Sequence, residues 1–211
     1  STGVHANSMT NTFLELSDLH ADPLNQFAAW YAEARTRTTG LANAMNLATV
    51  DERGRPTARM VMMSEFGPQG FSFYSSYQSS KAREIDATPY AALVFYWGEL
   101  DRQVRIEGHI IKASEEQSDA YFATRPRESQ LIAWASPQSA RLAQRHALID
   151  RLDESAERFG EGEIPRPPHW GGYLVLPDRF EFWASGPQRL HDRFAYQLGA
   201  NQTWTLARLA P

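Results

Sequence analysis

A succession of short β-segments joined by tight turns dominates the first half of the sequence. Strand patterns at Ala44 to Val50 and Thr57 to Ser64 flank the turn Asp51 to Pro56, and the strand pattern Phe71 to Ser75 follows another turn. Connections this short join antiparallel neighbours, because parallel pairs need a long crossover. The pattern therefore predicts an antiparallel meander.

Later segments extend this set of strands. Tyr90 to Trp97 is a continuous apolar run, which predicts a strand buried on both faces, and Arg102 to Lys112 alternates apolar and polar residues. Further strand patterns occur at Gly172 to Leu176, Phe180 to Trp183 and Thr203 to Leu206. Strands interleaved with so little helix favour a closed or split barrel over a parallel sheet.

The remaining segments predict helices. Asp22-Pro23 is typical of a helix start, and the buried face is predicted to carry Leu24, Phe27, Ala28 and Tyr31. Further helices are predicted at Ser79 to Ala87, from Ser114, at Glu128 to Ser136 and at Ser139 to Phe159, the last with a stripe of Leu142, Ile149, Leu152 and Phe159. Residues 1–21 are interpreted as a flexible tail, and residues 22–211 as a single domain.

Composition excludes several functional classes. A net charge of -4 argues against a general nucleic-acid or membrane-surface partner, and no apolar run is long enough to span a bilayer. The absence of cysteine excludes disulfides, thiolate metal sites and a cysteine nucleophile, and is compatible with the cytoplasm. The six histidines lack metal-ligand spacing, so no metal site is predicted, and nucleotide-binding glycine motifs are missing.

Cationic residues occur where a fold alone gains little from them. Arg189, His191 and Arg193 alternate, so a continuing strand would project all three to one side, facing an anion. Lys81 lies in the first turn of a predicted helix, against the helix dipole, which is a natural phosphate site. The alternatives are a solvated basic strand edge and an ordinary surface lysine. Together with 12% aromatic residues, these cations suit a planar anionic ligand.

The order of motifs identifies a family. Arg59-Met60-Val61-Met62, Tyr74-Ser75, Ser80-Lys81, Gln103, the stretch Tyr121 to Gln130, Trp134, Gln138-Ser139, His169 to Gly172, Phe182-Trp183 and Arg189 to Phe194 appear in sequence. This series, from about Asp22 to Pro211, closely resembles the pyridoxine/pyridoxamine 5'-phosphate oxidase family. The resemblance implies a mainly β, Greek-key antiparallel split barrel with peripheral helices, which binds FMN at the interface of a homodimer.

The resemblance also implies roles for individual residues. Arg59, Ser75, Ser80 and Lys81 would surround the FMN phosphate, while Tyr74, Gln103, Trp183, Arg193 and the run Met60, Val61 and Met62 would form the rest of the flavin pocket. Gln138 and Ser139 would reach the flavin from the other subunit. Substrate would contact Ser64, Tyr121, Arg125, Ser129 and Leu190, with Arg189 and His191 over its ring as the candidate catalytic pair.

Two positions depart from the family pattern. Ser64 replaces a substrate-contacting lysine, and Ser80 replaces an arginine before Lys81. The altered pocket is similar to the phenazine-biosynthesis branch of the family (the PhzG type), which oxidises a reduced tricyclic dicarboxylate. In that interpretation hydride passes to the flavin and electrons then reach O2, giving H2O2. The alternatives are oxidation of pyridoxine or pyridoxamine 5'-phosphate, and a non-catalytic flavin-binding module.

Overall fold

The computed structural model describes residues 13–211, so most of the predicted tail lies outside the described residues. The strands are β1 (Ala44–Val50), β2 (Pro56–Met62), β3 (Phe66–Gly67), β4 (Gly70–Ser76), β5 (Tyr90–Trp97), β6 (Arg102–Lys112), β7 (Trp170–Ala184), β8 (Asp192–Leu198) and β9 (Trp204–Leu209). The α-helices are α1 (Pro23–Arg37), α2 (Ser80–Ala87), α3 (Glu115–Thr124), α4 (Arg127–Ala135) and α5 (Arg145–Phe159). Short 3-10 turns occur at Leu16–Asp18, Gly98–Leu100 and Pro187–Arg189.

The nine strands of the described chain form one mainly antiparallel sheet. Its order is β2-β1-β5-β6-β7-β4-β3, and β8 pairs with β7 and β9. Along this path the described strands do not close into a complete barrel, as expected of a split barrel. No helix among the described residues is both long and apolar enough to span a membrane.

The chain divides into two compact units. The first unit holds the described residues up to Ala42, with Tyr96–Arg105 and Arg179–Pro211, and the second unit holds Asn43–Phe95 and Ile106–Asp178. Aromatic residues fill the core of the first unit, where Phe182 contacts Trp30 edge-on at a ring distance of 5.2 Å. In the second unit, Phe73 stacks on Tyr173 at 5.3 Å, and both side chains are fully buried.

Helix α1 begins as predicted but buries a different face. The Asp22 carboxylate accepts a hydrogen bond from the Leu24 backbone N–H at 2.8 Å, which confirms the N-cap. The buried side chains are Pro23, Gln26, Phe27, Trp30 and Ala34, whereas Leu24, Ala28 and Tyr31 are only half-buried. The predicted stripe is therefore rotated, because Trp30 rather than Tyr31 is inserted into the aromatic core of the first unit.

Three other predicted elements differ from the structure. Strand β5 is buried on one face only, with Tyr90 57% and Tyr96 64% exposed. Helix α5 begins at Arg145 instead of Ser139, because Ser139 has a φ of 68°, which a right-handed helix cannot contain. No residue of α5 is buried, so the predicted apolar stripe is at most half-buried where α5 packs on α4. The two strands predicted around Pro177 form one strand, β7.

The cationic stretch after β7 is not a continuous strand. Gln188 and Arg189 have φ values of 53° and 63°, in the left-handed region, and β8 begins only at Asp192. Arg189, His191 and Arg193 therefore do not alternate on one strand face, so this part of the prediction is wrong. Gly186 and Pro187 are residue types typical of a turn, but the sequence carries no glycine at Gln188 or Arg189 that would indicate their left-handed backbone.

Candidate functional site

One cavity of the second unit collects most of the predicted flavin and substrate residues. Its volume is about 350 Å³. The residues that line it are Arg59, Met60, Val61, Met62, Ser64, Tyr74, Ser75, Lys81, Tyr121, Arg125, Gln138 and Trp170. All except Trp170 are site residues predicted from the sequence.

Three donors converge on one oxygen atom at one end of this cavity. The Ser75 hydroxyl donates to Oε1 of Gln138 at 2.7 Å, the Lys81 ammonium donates to it at 3.2 Å, and the Ser76 backbone N–H does so at 3.4 Å. Lys81 also donates to Ser75 Oγ at 2.9 Å. A hydroxyl, a backbone N–H and an ammonium aimed at one oxygen are a donor set that can bind a phosphate oxygen.

Local structure explains why these donors meet. Ser79 caps α2, because its hydroxyl accepts from the Ala82 backbone N–H at 3.3 Å, and Lys81 follows in the first turn. Desolvation, together with the nearby Arg59 guanidinium, lowers the pKa of Lys81. The ammonium is thus partly buried beside another cation. An anionic ligand would offset both the desolvation of the ammonium and its repulsion from Arg59.

Gln138 contacts Ser75 and Lys81 of its own chain. The contact of Gln138 and Ser139 with the flavin of the other subunit stays a prediction. Ser139 is exposed and does not line the cavity. Ser80 also lies outside the cavity, and its hydroxyl accepts from Arg83 at 3.3 Å.

Aromatic rings and an arginine form another part of the same cavity. The ring of Tyr74 stacks on that of Tyr121, with ring centres 3.9 Å apart, and also on that of Trp170, with ring centres 5.3 Å apart. The Arg125 guanidinium lies over Trp170 at 4.6 Å and donates to the Ser129 carbonyl at 3.3 Å. Ser129 thus contacts Arg125 through its backbone, and its hydroxyl is not part of this contact.

Burial perturbs both the tyrosine and the arginine of this group. Desolvation, followed by the charge of Glu65, raises the pKa of Tyr74 to about 12, so its hydroxyl remains protonated at neutral pH. Desolvation also lowers the pKa of Arg125. No carboxylate of the described residues pairs with Arg125, so this cation is available to an anion.

Trp170 is the lining residue that the sequence prediction omitted. It opens β7, where Gly171 and Gly172 follow it. A Cβ on Gly172 would lie 2.8 Å from the Tyr74 ring, so glycine lets the backbone pass close behind that ring. The His169 to Gly172 motif was visible in the sequence, and its glycines were the available signal for this close approach.

The other predicted residues belong to the first unit. The rings of Trp183 and His191 are 4.9 Å apart, and Nδ1 of His191 accepts a hydrogen bond from the Gly186 backbone N–H at 3.1 Å. Nε2 therefore carries the proton of the neutral ring and is its donor. Arg193 donates to the buried Glu181 carboxylate at 2.7 Å.

Gln103, Arg189 and Leu190 complete the predicted set in this unit. Gln103 lies near the start of β6 and is half-buried, whereas Arg189, the last residue of the 3-10 turn, and Leu190, which follows it, are exposed. A cavity of about 550 Å³ is lined in part by Leu190 and His191. The roles of these residues toward flavin and substrate remain predictions.

Comparison with known proteins identifies the family. A family model described as pyridoxamine 5'-phosphate oxidase matches residues 32–158, and a model described as the pyridoxine 5'-phosphate oxidase C-terminal dimerisation region matches residues 170–211. A pyridoxine/pyridoxamine 5'-phosphate oxidase of Ralstonia pickettii is 48% identical over 198 residues, which are 94% of this chain and 93% of the relative. A relative of the same name from Burkholderia thailandensis is 50% identical over 200 residues, with the same coverage.

Solved structures agree with this result. PhzG from Burkholderia lata, solved in complex with tetrahydrophenazine-1-carboxylic acid, is 30% identical with a TM-score of 0.88, over 95% of this chain and 98% of PhzG. An FMN-binding protein related to pyridoxamine 5'-phosphate oxidase, from Nostoc punctiforme, has a TM-score of 0.71 at 20% identity, over 90% of this chain and 98% of that protein, and shows the fold alone.

These matches confirm the predicted fold class and, at the level of the family, the FMN cofactor. The residues present fit such a group, since Ser75, Ser76 and Lys81 already converge on a single oxygen. The chain is a member of the pyridoxine/pyridoxamine 5'-phosphate oxidase family, a family of oxidoreductases.

Proposed function

We propose that the chain is an FMN-dependent oxidase of pyridoxine and pyridoxamine 5'-phosphate. The observation that carries this proposal is the presence of two separate anion-binding groups in one aromatic cavity. Lys81 with Ser75 and Ser76 suits the phosphate of the cofactor, and Arg125 over Trp170 suits the phosphate of a substrate. Relatives 48–50% identical over 94% of the chain bear the name of this activity.

In this proposal the residues of the chain bind and orient, and the cofactor carries the redox chemistry. When bound, FMN supplies hydride acceptance from the substrate and transfer of the electrons to O2, which gives H2O2. Arg125 fixes the phosphate end of the substrate, and the stacked rings of Tyr74 and Tyr121 exclude water on one side. His191, a donor through Nε2, and Arg189 are proposed to orient the substrate ring.

We further propose that the protein acts as a homodimer with FMN at the interface. The C-terminal match is to a dimerisation region. Met60 and Met62 line the cavity yet are 62% and 41% exposed, so a flavin and a second subunit would cover apolar side chains that now face solvent. A cytoplasmic location stays a prediction.

A second candidate substrate is a reduced tricyclic phenazine dicarboxylate, which the sequence analysis favoured. Ser64 lines the cavity where the family pattern has a lysine, and the loss of that cation changes which anion the pocket prefers. The PhzG neighbour, at 30% identity, supports this alternative less strongly than the nearer relatives support the first. A non-catalytic flavin module would not need the unpaired Arg125.

The test is H2O2 production by the FMN-loaded protein with each substrate class. We expect turnover with pyridoxamine 5'-phosphate, and a lower KM for it in Ser64→Lys, because the variant restores a cation. Turnover of the tricyclic substrate alone, with Ser64→Lys abolishing it, would establish the phenazine candidate. If neither substrate class gives H2O2, both candidate functions are overturned.

A further inference from the structure

The Arg59 guanidinium is almost fully engaged by its own chain. Its Nη1 donates to the Leu47 carbonyl at 3.0 Å and to the Thr49 hydroxyl at 2.7 Å, and its Nη2 donates to the Thr57 hydroxyl at 2.6 Å and to Glu84 Oε2 at 3.2 Å. Arginine has five N–H donors, so these contacts use four. Only the Nε–H has no partner among the described residues.

Strand register and helix position build this cluster. Thr49 of β1 pairs with Thr57 of β2, and Arg59 lies two residues after Thr57, so the three side chains share one sheet face. Glu84 reaches them from α2, and its side chain is 13% exposed. Its Oε2 also accepts from both threonine hydroxyls, each at 2.6 Å.

Glu84 is ionised at neutral pH in this environment. Desolvation alone would raise the pKa of its carboxyl, but hydrogen bonds from Thr49, Thr57 and Arg59 outweigh that effect and lower the pKa. Its negative charge therefore offsets the charge of Arg59. Of the two cations predicted to meet the cofactor phosphate, Lys81 is the one without a carboxylate partner among the described side chains.

We propose that Glu84 is a positioning residue of the phosphate site, holding Arg59 so that only its Nε–H faces the ligand and leaving Lys81 as the net positive charge. The inference rests on the proposed FMN site and deepens it.

We expect the charge of Glu84 to weaken FMN binding and its hydrogen bonds to Arg59 to strengthen it. Glutamine keeps an acceptor for Arg59 but removes a negative charge beside the phosphate, so Glu84→Gln should bind FMN more tightly than the wild type, by about three- to tenfold. Alanine removes the acceptor as well, so Arg59 loses its fixed orientation. Glu84→Ala should therefore bind FMN more weakly than Glu84→Gln.

The experiment measures the dissociation constant of FMN from the apoprotein by flavin fluorescence, with riboflavin as a probe that lacks the phosphate. Asp86→Asn is the matched control, because it removes one exposed carboxylate from the same helix, outside the cluster. We expect it to leave the FMN affinity within about twofold. Riboflavin should bind the wild type and Glu84→Gln equally.

Several results would overturn the inference. If Glu84→Gln binds FMN no more tightly than the wild type, the negative charge of Glu84 does not weaken FMN binding. If Glu84→Gln binds riboflavin more tightly by the same factor as FMN, the effect does not act on the phosphate. Equal FMN affinities of Glu84→Gln and Glu84→Ala would show that Glu84 does not position Arg59. If Glu84→Ala does not fold, Thr57→Val provides the second test of positioning, with weaker FMN binding expected and unchanged binding contradictory. A wild-type protein that binds no FMN would refute the proposed function together with this inference.

Discussion

Replacing Lys81 with methionine tests the phosphate site most sharply. The ammonium has three donors, of which Ser75 at 2.9 Å and Gln138 at 3.2 Å use two. A hydrogen bond to a charged group contributes about 1.5–3 kcal/mol. Loss of the ammonium should therefore raise the dissociation constant of FMN by about 10- to 150-fold.

The same substitution should have the opposite effect on the apoprotein. Desolvation, followed by repulsion from Arg59, lowers the pKa of Lys81, so burial of the ammonium opposes folding when no anion is present. The unfolded chain then binds more protons than the folded one between the lowered pKa and the ordinary value of 10.5. Apoprotein stability from this group thus rises with pH across that window, and Lys81→Met should remove the rise.

The assay combines an FMN titration with thermal unfolding of the apoprotein at several pH values. Lys112→Met is the matched control, because Lys112 is the other lysine of the chain and lies over the Tyr77 ring at 4.2 Å, outside the cavity. The control should bind FMN like the wild type. Wild-type affinity in Lys81→Met, or an apoprotein clearly less stable than the wild type, would contradict this prediction.

Two further predictions concern substrate binding and the core. Arg125→Met should raise the KM for pyridoxamine 5'-phosphate by about 10- to 100-fold and leave the FMN affinity unchanged, because one charge-assisted contact with substrate is lost. Steady-state kinetics measure this, and an unchanged KM would contradict it. Phe182→Ala should lower the free energy of unfolding by about 3–5 kcal/mol, because Phe182 is fully buried against Trp30 and Tyr196. Urea unfolding that shows a loss below about 1 kcal/mol would contradict it.

The sequence predicted strands best where their side chains alternate or run apolar between turns. The bounds of β1, β5 and β6 match the structure, and Ser79 caps α2 as predicted. The start of α5 could not be found this way, because the left-handed backbone of Ser139 has no glycine to mark it.

The sequence predicted which residues form the candidate site better than it predicted the contacts between them. All the residues that line the cavity except Trp170 follow from the resemblance, but the position of Gln138 in its own chain depends on tertiary structure. Glu84 went unnoticed because a glutamate inside a short helix is typical of a solvated face. The role proposed for Glu84 depends on the register that sets Thr49 beside Thr57.

We propose that this chain binds FMN and uses it to oxidise a phosphorylated pyridoxine-type substrate. The most direct test mixes FMN-loaded protein with pyridoxamine 5'-phosphate under anaerobic conditions and follows the absorbance of the oxidised flavin. We expect rapid bleaching within one turnover, with recovery of the absorbance when O2 is admitted. A flavin that stays oxidised with this substrate, while the reduced tricyclic dicarboxylate bleaches it, would contradict the proposed substrate.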